Sequence, residues 1–134
     1  MAQDVVVKES LSDSMVRNGA VLVEKLDAAG WRPAAALWFY FPDANAWRLL
    51  LASPEITTKG PREAYTAIQR VLAELDTADG ALALEDISVM PADHPLIELL
   101  RGFLMTGSGI GRMRFRNNVI NGHVIDDALI YRIM

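Results

Sequence analysis

The chain has 134 residues, enough for one domain with a core that needs no covalent staple. An apolar fraction of 51% and a charged fraction of 22% exclude a disordered chain, and a net charge of −4 disfavours a surface that tracks nucleic acid, since phosphate contacts need clustered Lys and Arg. Cysteine is absent, which excludes disulfides and thiolate metal sites. No apolar run approaches the roughly 18 residues of a membrane span, and the start MAQDVVVKES lacks the pattern of a signal peptide. These features predict a cytoplasmic protein with no membrane contact.

The first predicted element is a helix from about Ser12 to Ala29. Leu11, Met15, Leu22 and Leu26 follow helical spacing with Val16 and Val23 beside them. Ser10 or Ser12 caps it and Gly30 stops it. Gly19 lies inside and costs about 1 kcal/mol against alanine, so a close backbone contact with a sheet is expected there.

Next comes Pro33 to Ser53, two strongly apolar runs around Pro42-Asp43-Ala44-Asn45. Turn formers between apolar runs predict a β-hairpin with strands near 34–41 and 46–53. With Phe41 opposite Ala46, Trp38 and Tyr40 share a face with Trp47, Leu49 and Leu51. Leu37, Phe39 and Phe41 share the other with Arg48, Leu50 and Ala52. Both faces are apolar, so both must be covered. Helices of the chain serve one side, and further helix or a second subunit the other. Trp38, Tyr40, Trp47 and Leu49 are therefore the expected contact residues of a homodimer.

Gly60-Pro61-Arg62-Glu63 is a strong helix start, and the helix runs to about Leu75 with Ala64, Ile68, Val71, Leu72 and Leu75 inward. Asp79-Gly80 reads as a turn and Leu82 to Met90 as a strand, with Ile87 and Val89 on one face. Asp93 is the expected cap of a helix from about His94 to Leu104, whose stripe is Leu96, Leu99, Leu100 and Phe103. A loop, Thr106-Gly107-Ser108-Gly109-Ile110-Gly111, leads to two strands near 112–120 and 123–133. Asn121-Gly122 between them is a strong hairpin signal.

The order α-β-β-α-β-α-β-β across residues 1–134 predicts a single α+β domain. Its sheet has five strands and is largely antiparallel, with two hairpins flanking a central strand and three helices mainly on one face.

Arg112, Arg114 and Arg116 alternate along a strand and share one face, with Met113 and Phe115 on the other. Beside the amides of Gly109 and Gly111, three guanidiniums form a candidate anion site. Solvated arginines paired with acids are the competing interpretation. The register of the last hairpin then matters. A plain turn at Asn121-Gly122 pairs Arg116 with Asp127 but puts Arg112 and Arg114 with Leu129 and Tyr131. A bulge at Gly122 keeps one face apolar, sets Arg116 opposite Asp126 and sends Asp127 inward, and it is the preferred expectation. An inward Asp127 must be hydrogen-bonded or paired.

His123 with Asp126 or Asp127 lacks a third ligand at a recognisable spacing, so no metal or other cofactor is expected. Ser108 is outside any Gly-x-Ser-x-Gly. Asp43, Glu55 and Lys59 have the wrong spacing for a metal-dependent nuclease. Glu85 and Asp86 are adjacent on the expected strand and so face opposite sides. The expectation is an interaction or regulatory module acting as a homodimer, open to a protein partner. The alternative is an enzyme acting on an anionic small molecule at Gly107–Gly111, with His123 and Asp127 nearby.

Overall fold

A computed structural model describes residues 7–75 and 82–134; the Asp79-Gly80 turn lies outside them. The first helix, α1 (Asp13–Ala28), starts where the Ser12 hydroxyl accepts a hydrogen bond from the Met15 amide at 3.1 Å, and Gly30 follows its end at φ +89°. The hairpin β1 (Ala35–Phe41) and β2 (Ala46–Ser53) has Phe41 opposite Ala46 and Tyr40 opposite Trp47, as the turn at 42–45 predicts. Its turn is closed by the Ala44 and Asn45 amides on Phe41 and Pro42, with Asn45 at φ +47°. A short helix, α2 (Glu55–Lys59), was not anticipated; Gly60 at φ +78° separates it from α3 (Pro61–Glu74).

Next come β3 (Ile87–Pro91), α4 (Pro95–Phe103), β4 (Met113–Ile120) and β5 (His123–Ile133). The fold is α+β, with one five-stranded sheet ordered β3-β2-β1-β5-β4. The sheet is mixed. β3 runs parallel to β2 at an edge, not at the centre. The physical reason is the connection: α2 and α3 carry the chain back along the sheet, so the next strand repeats the direction of β2. β1 takes the centre, where a strand apolar on both faces is covered best. Residues 84–86, expected as strand, form a single 3-10 turn in which the Asp86 carboxylate accepts from the Ala83 amide at 3.1 Å. The α4 cap is His94, not Asp93, with Nδ1 accepting from the Leu96 amide at 3.1 Å.

Each sheet face has its own core. On one, Leu22, Val23 and Leu26 of α1 and Ile68 and Val71 of α3 pack on Trp38, Tyr40, Trp47, Leu49 and Tyr131. On the other, Ile97 and Leu100 of α4 pack on Leu37, Phe39, Leu50, Ala128 and Ile130. Phe103, expected in that stripe, is 53% exposed.

The last hairpin closes with Asn121 and Gly122 both left-handed, Ile120 opposite His123 and Arg116 opposite Asp127. The plain turn is correct, and the expected bulge at Gly122 is absent. Asn117 resolves the face conflict that the bulge was meant to solve. It sits at φ +52° opposite Asp126, and the ladder is interrupted there. Beyond this irregularity Ile120 and Ile125 reach the α4 side, whereas Leu129 belongs to the α1 side. A bulge does exist elsewhere in β5. Leu37 pairs with Ile130 but Ala36 with Arg132, which makes Tyr131 the extra residue. Arg132 thereby reaches Asp27 of α1 through two bonds of 3.0 and 2.6 Å and donates to the Pro33 carbonyl at 3.1 Å.

Candidate functional site

Of the expected site residues, Asp127 is the hub of a cluster. Its side chain is 3% exposed. Arg114 grips it through both oxygens, Nε at 2.6 Å and a terminal nitrogen at 2.8 Å, the bidentate geometry that makes such bonds strong. Lys8 Nζ donates to Oδ2 at 2.8 Å, and Arg116 stands at 3.8 Å. Burial alone would raise the Asp127 pKa. The hydrogen bonds from Arg114 and then Lys8 outweigh it and hold the carboxyl below its ordinary value. The Arg114 pKa is raised, first by its hydrogen bond to Asp127, with burial opposing.

Lys8 arrives on a segment without regular secondary structure, residues 7–11, laid over the first hairpin. The Glu9 amide donates to Asn45 Oδ1 at 2.8 Å, and Asn45 Nδ2 donates to the Val7 carbonyl at 3.0 Å. Trp47 Nε1 donates to the Glu9 carbonyl at 2.8 Å, and the Tyr40 hydroxyl to Asn45 Oδ1 at 2.6 Å. The left-handed turn position of Asn45 places its amide where it can hold the segment. A cavity of about 320 Å³ opens between segment and sheet, lined by Lys8, Glu9, Trp47, Arg114, Arg116, Asp126 and Asp127.

The glycine loop does not join this cavity. The Gly111 amide donates to the Tyr131 carbonyl at 2.8 Å and the Thr106 amide to the Ile133 carbonyl at 2.6 Å, so the loop extends the β4 edge along β5. Gly109, Gly111 and Arg112 are exposed, and none of them lines the cavity. Arg114 and Arg116 converge on Asp127, not on the loop amides. His123 is exposed beside the hairpin turn and faces a different cavity from Asp127. Glu55 pairs with Lys59 one turn along α2 at 3.8 Å. Among the described residues, no group of three His, Asp or Glu is placed to hold a metal ion, and no helix is long and apolar enough to cross a membrane.

The four residues expected between subunits are core residues. Trp38, Tyr40, Trp47 and Leu49 are 0%, 5%, 6% and 0% exposed, enclosed by α1, α3 and the 7–11 segment. The uncovered apolar surface lies on the opposite face. There a groove of about 660 Å³ runs between α4 and the tip of the last hairpin, lined by Phe39, Phe41, Leu96, Leu99, Val124 and Ile125 with His94, Glu98 and His123 among them. Leu96 and Leu99 belong to the apolar stripe that the sequence predicts for this helix, and they signal the groove only in that the helix has more apolar residues than one buried line needs. Nothing in the sequence announces Lys8, which is 119 positions from Asp127.

No family model matches this chain, and neither does any curated protein or solved structure at a significant level.

Proposed function

We propose that the protein is an interaction module acting as a homodimer through the α4 face of its sheet. The observation that carries this is the apolar groove on that face, lined by Phe39, Phe41, Leu96, Leu99 and Ile125. A nine-residue helix is roughly 14 Å long. The eleven-residue strand beneath it extends about 35 Å. Apolar surface left open in this way is characteristic of interfaces. Exposed Phe103, Met105 and Met113 add to the apolar surface outside the groove.

Contact through the groove is favoured over pairing of sheet edges. Antiparallel pairing of β4 with its two-fold mate would bring residues of one face opposite each other. With the axis at Arg114, Arg112 would face Arg116 and Arg114 its own copy, and such like-charge pairs oppose that edge contact. The groove carries no such barrier, and a closed two-fold dimer is the commonest assembly. An enzyme at the Gly107–Gly111 loop has less support, because the Gly111 amide is engaged by β5 and Arg114 by Asp127.

Sedimentation velocity tests the dimer. The expected result is a dimer at micromolar concentration that Leu99→Glu converts to monomer, with unchanged circular dichroism. A wild-type monomer at high micromolar concentration refutes it.

A further inference from the structure

Lys8 occupies a built site. Its ammonium lies 2.8 Å from a carboxylate oxygen of Asp127, 4.6 Å from the Tyr40 ring centre and 5.7 Å from that of Trp47. A cation over ring faces within about 6 Å is attracted by their quadrupoles, and more so where water is excluded. The three walls are nearly buried, at 5%, 6% and 2% exposure for Tyr40, Trp47 and Asp127, while the Lys8 side chain that reaches them is 46% exposed. Arg114 grips both carboxylate oxygens, and Oδ2 accepts from Lys8 as well. The site therefore takes a second cation without displacing the first.

The occupant is held differently from the walls. The walls belong to β1, β2 and β5. Lys8 belongs to a segment without regular structure, in which residues 7–10 are exposed. Besides the Lys8 contact, that segment is attached through the Asn45 and Trp47 side chains and by packing of Leu11. The two Asn45 bonds are exposed and the Trp47 bond is partly buried, and a segment held by so few bonds opens at low free-energy cost compared with the strands beneath it.

We propose that Tyr40, Trp47 and Asp127 form a cage for a primary alkylammonium group, filled in cis by Lys8, and that a lysine side chain of a partner takes this place when the 7–11 segment lifts. Lys8 is then an intramolecular competitor whose high effective concentration keeps the cage closed to weak ligands. A primary ammonium suits the site because it offers hydrogen-bond donors to Asp127 together with a compact charge for the rings. A quaternary ammonium lacks the donors.

The test titrates n-butylammonium chloride and Nα-acetyl-lysine N-methylamide into wild type and Lys8→Ala, following the Trp47 indole N–H by NMR at constant ionic strength. Tetramethylammonium chloride is the control. Lys8→Ala is expected to show saturable shifts with both primary ammonium probes at about millimolar concentration, with wild type at least about tenfold weaker, as for any tethered competitor. Adding Asp127→Asn to Lys8→Ala should abolish the shifts. Lys8→Gln undergoes the same titration, so that a failure of Lys8→Ala to fold leaves the question decidable. Equal affinity in wild type and variant overturns the proposal, because Lys8 would then not fill the cage. So does an equal response to tetramethylammonium, or no saturable shift in either Lys8 variant.

Discussion

The two faces of the sheet are built on different principles. On the α1 and α3 side, polar groups are threaded through the apolar core. Trp38 Nε1 donates to the Tyr131 hydroxyl at 3.0 Å, that hydroxyl donates to the Val16 carbonyl at 2.6 Å, and Arg132 is held by Asp27. On the α4 side the core is almost wholly apolar, and a single helix covers part of it. Hydrogen bonds have direction, so the first face admits one arrangement of helix on sheet. Apolar contacts alone are less selective, and the second face is left with surface to offer another molecule. The directional polar network and the open apolar groove thus lie on opposite sides of the same strands.

The largest effect should come from breaking the polar threading where a charge is most deeply enclosed. The Arg132 side chain is 1% exposed, with its Nε unsatisfied, and Asp27 is its only acidic partner among the described residues. Asp27→Ala leaves that guanidinium buried without a counter-charge. A loss of about 3–5 kcal/mol is expected in urea denaturation.

Gly19→Ala comes next and reverses the sign of helix propensity. On a free helix the change would gain about 1 kcal/mol. Here the added Cβ would lie 2.8 Å from Trp38 Nε1 and closer still to the Tyr131 hydroxyl. A net loss of about 1–3 kcal/mol is expected from overpacking, measured as a lower urea midpoint. A stabilised variant would show that α1 is not locked onto the sheet.

Asp127→Ala should cost about 1–3 kcal/mol at neutral pH from groups left unpaired. The pH dependence sharpens this. The folded carboxyl titrates below its unfolded value of about 3.9, so its contribution is present above that pH and lost as pH falls through the folded pKa. Wild type should therefore lose stability below about pH 4 more steeply than Asp127→Ala, and parallel acid limbs would show the carboxylate to be unpaired in solution. The smallest change in monomer stability, within about 1 kcal/mol, is expected for Leu99→Glu on the half-exposed α4 surface. Its effect is instead expected on the association state.

Local rules were sufficient for the first hairpin and for most elements, but not for α2 or the 3-10 turn at 84–86. Ser12, Gly30, Gly60-Pro61 and Asn121-Gly122 each act through a conformational preference or a bond within a few residues, so they are legible one window at a time. The turn formers Pro42 to Asn45 set the register of that hairpin, with Phe41 opposite Ala46. Gly19 likewise signalled its close contact, since glycine in a helix interior is unfavourable without such a reason. Tertiary structure decided what depends on distant partners. The edge position of β3 followed from where α2 and α3 returned the chain. The face switch at Asn117 and the bulge at Tyr131 arose because β5 must satisfy helices on both sides at once. Arg114 met Asp127 instead of the glycine loop, and Lys8 met Asp127 across 119 positions. A sequence window records what a residue prefers locally; it does not record which distant charge completes a buried carboxylate, because that is a property of the assembled sheet.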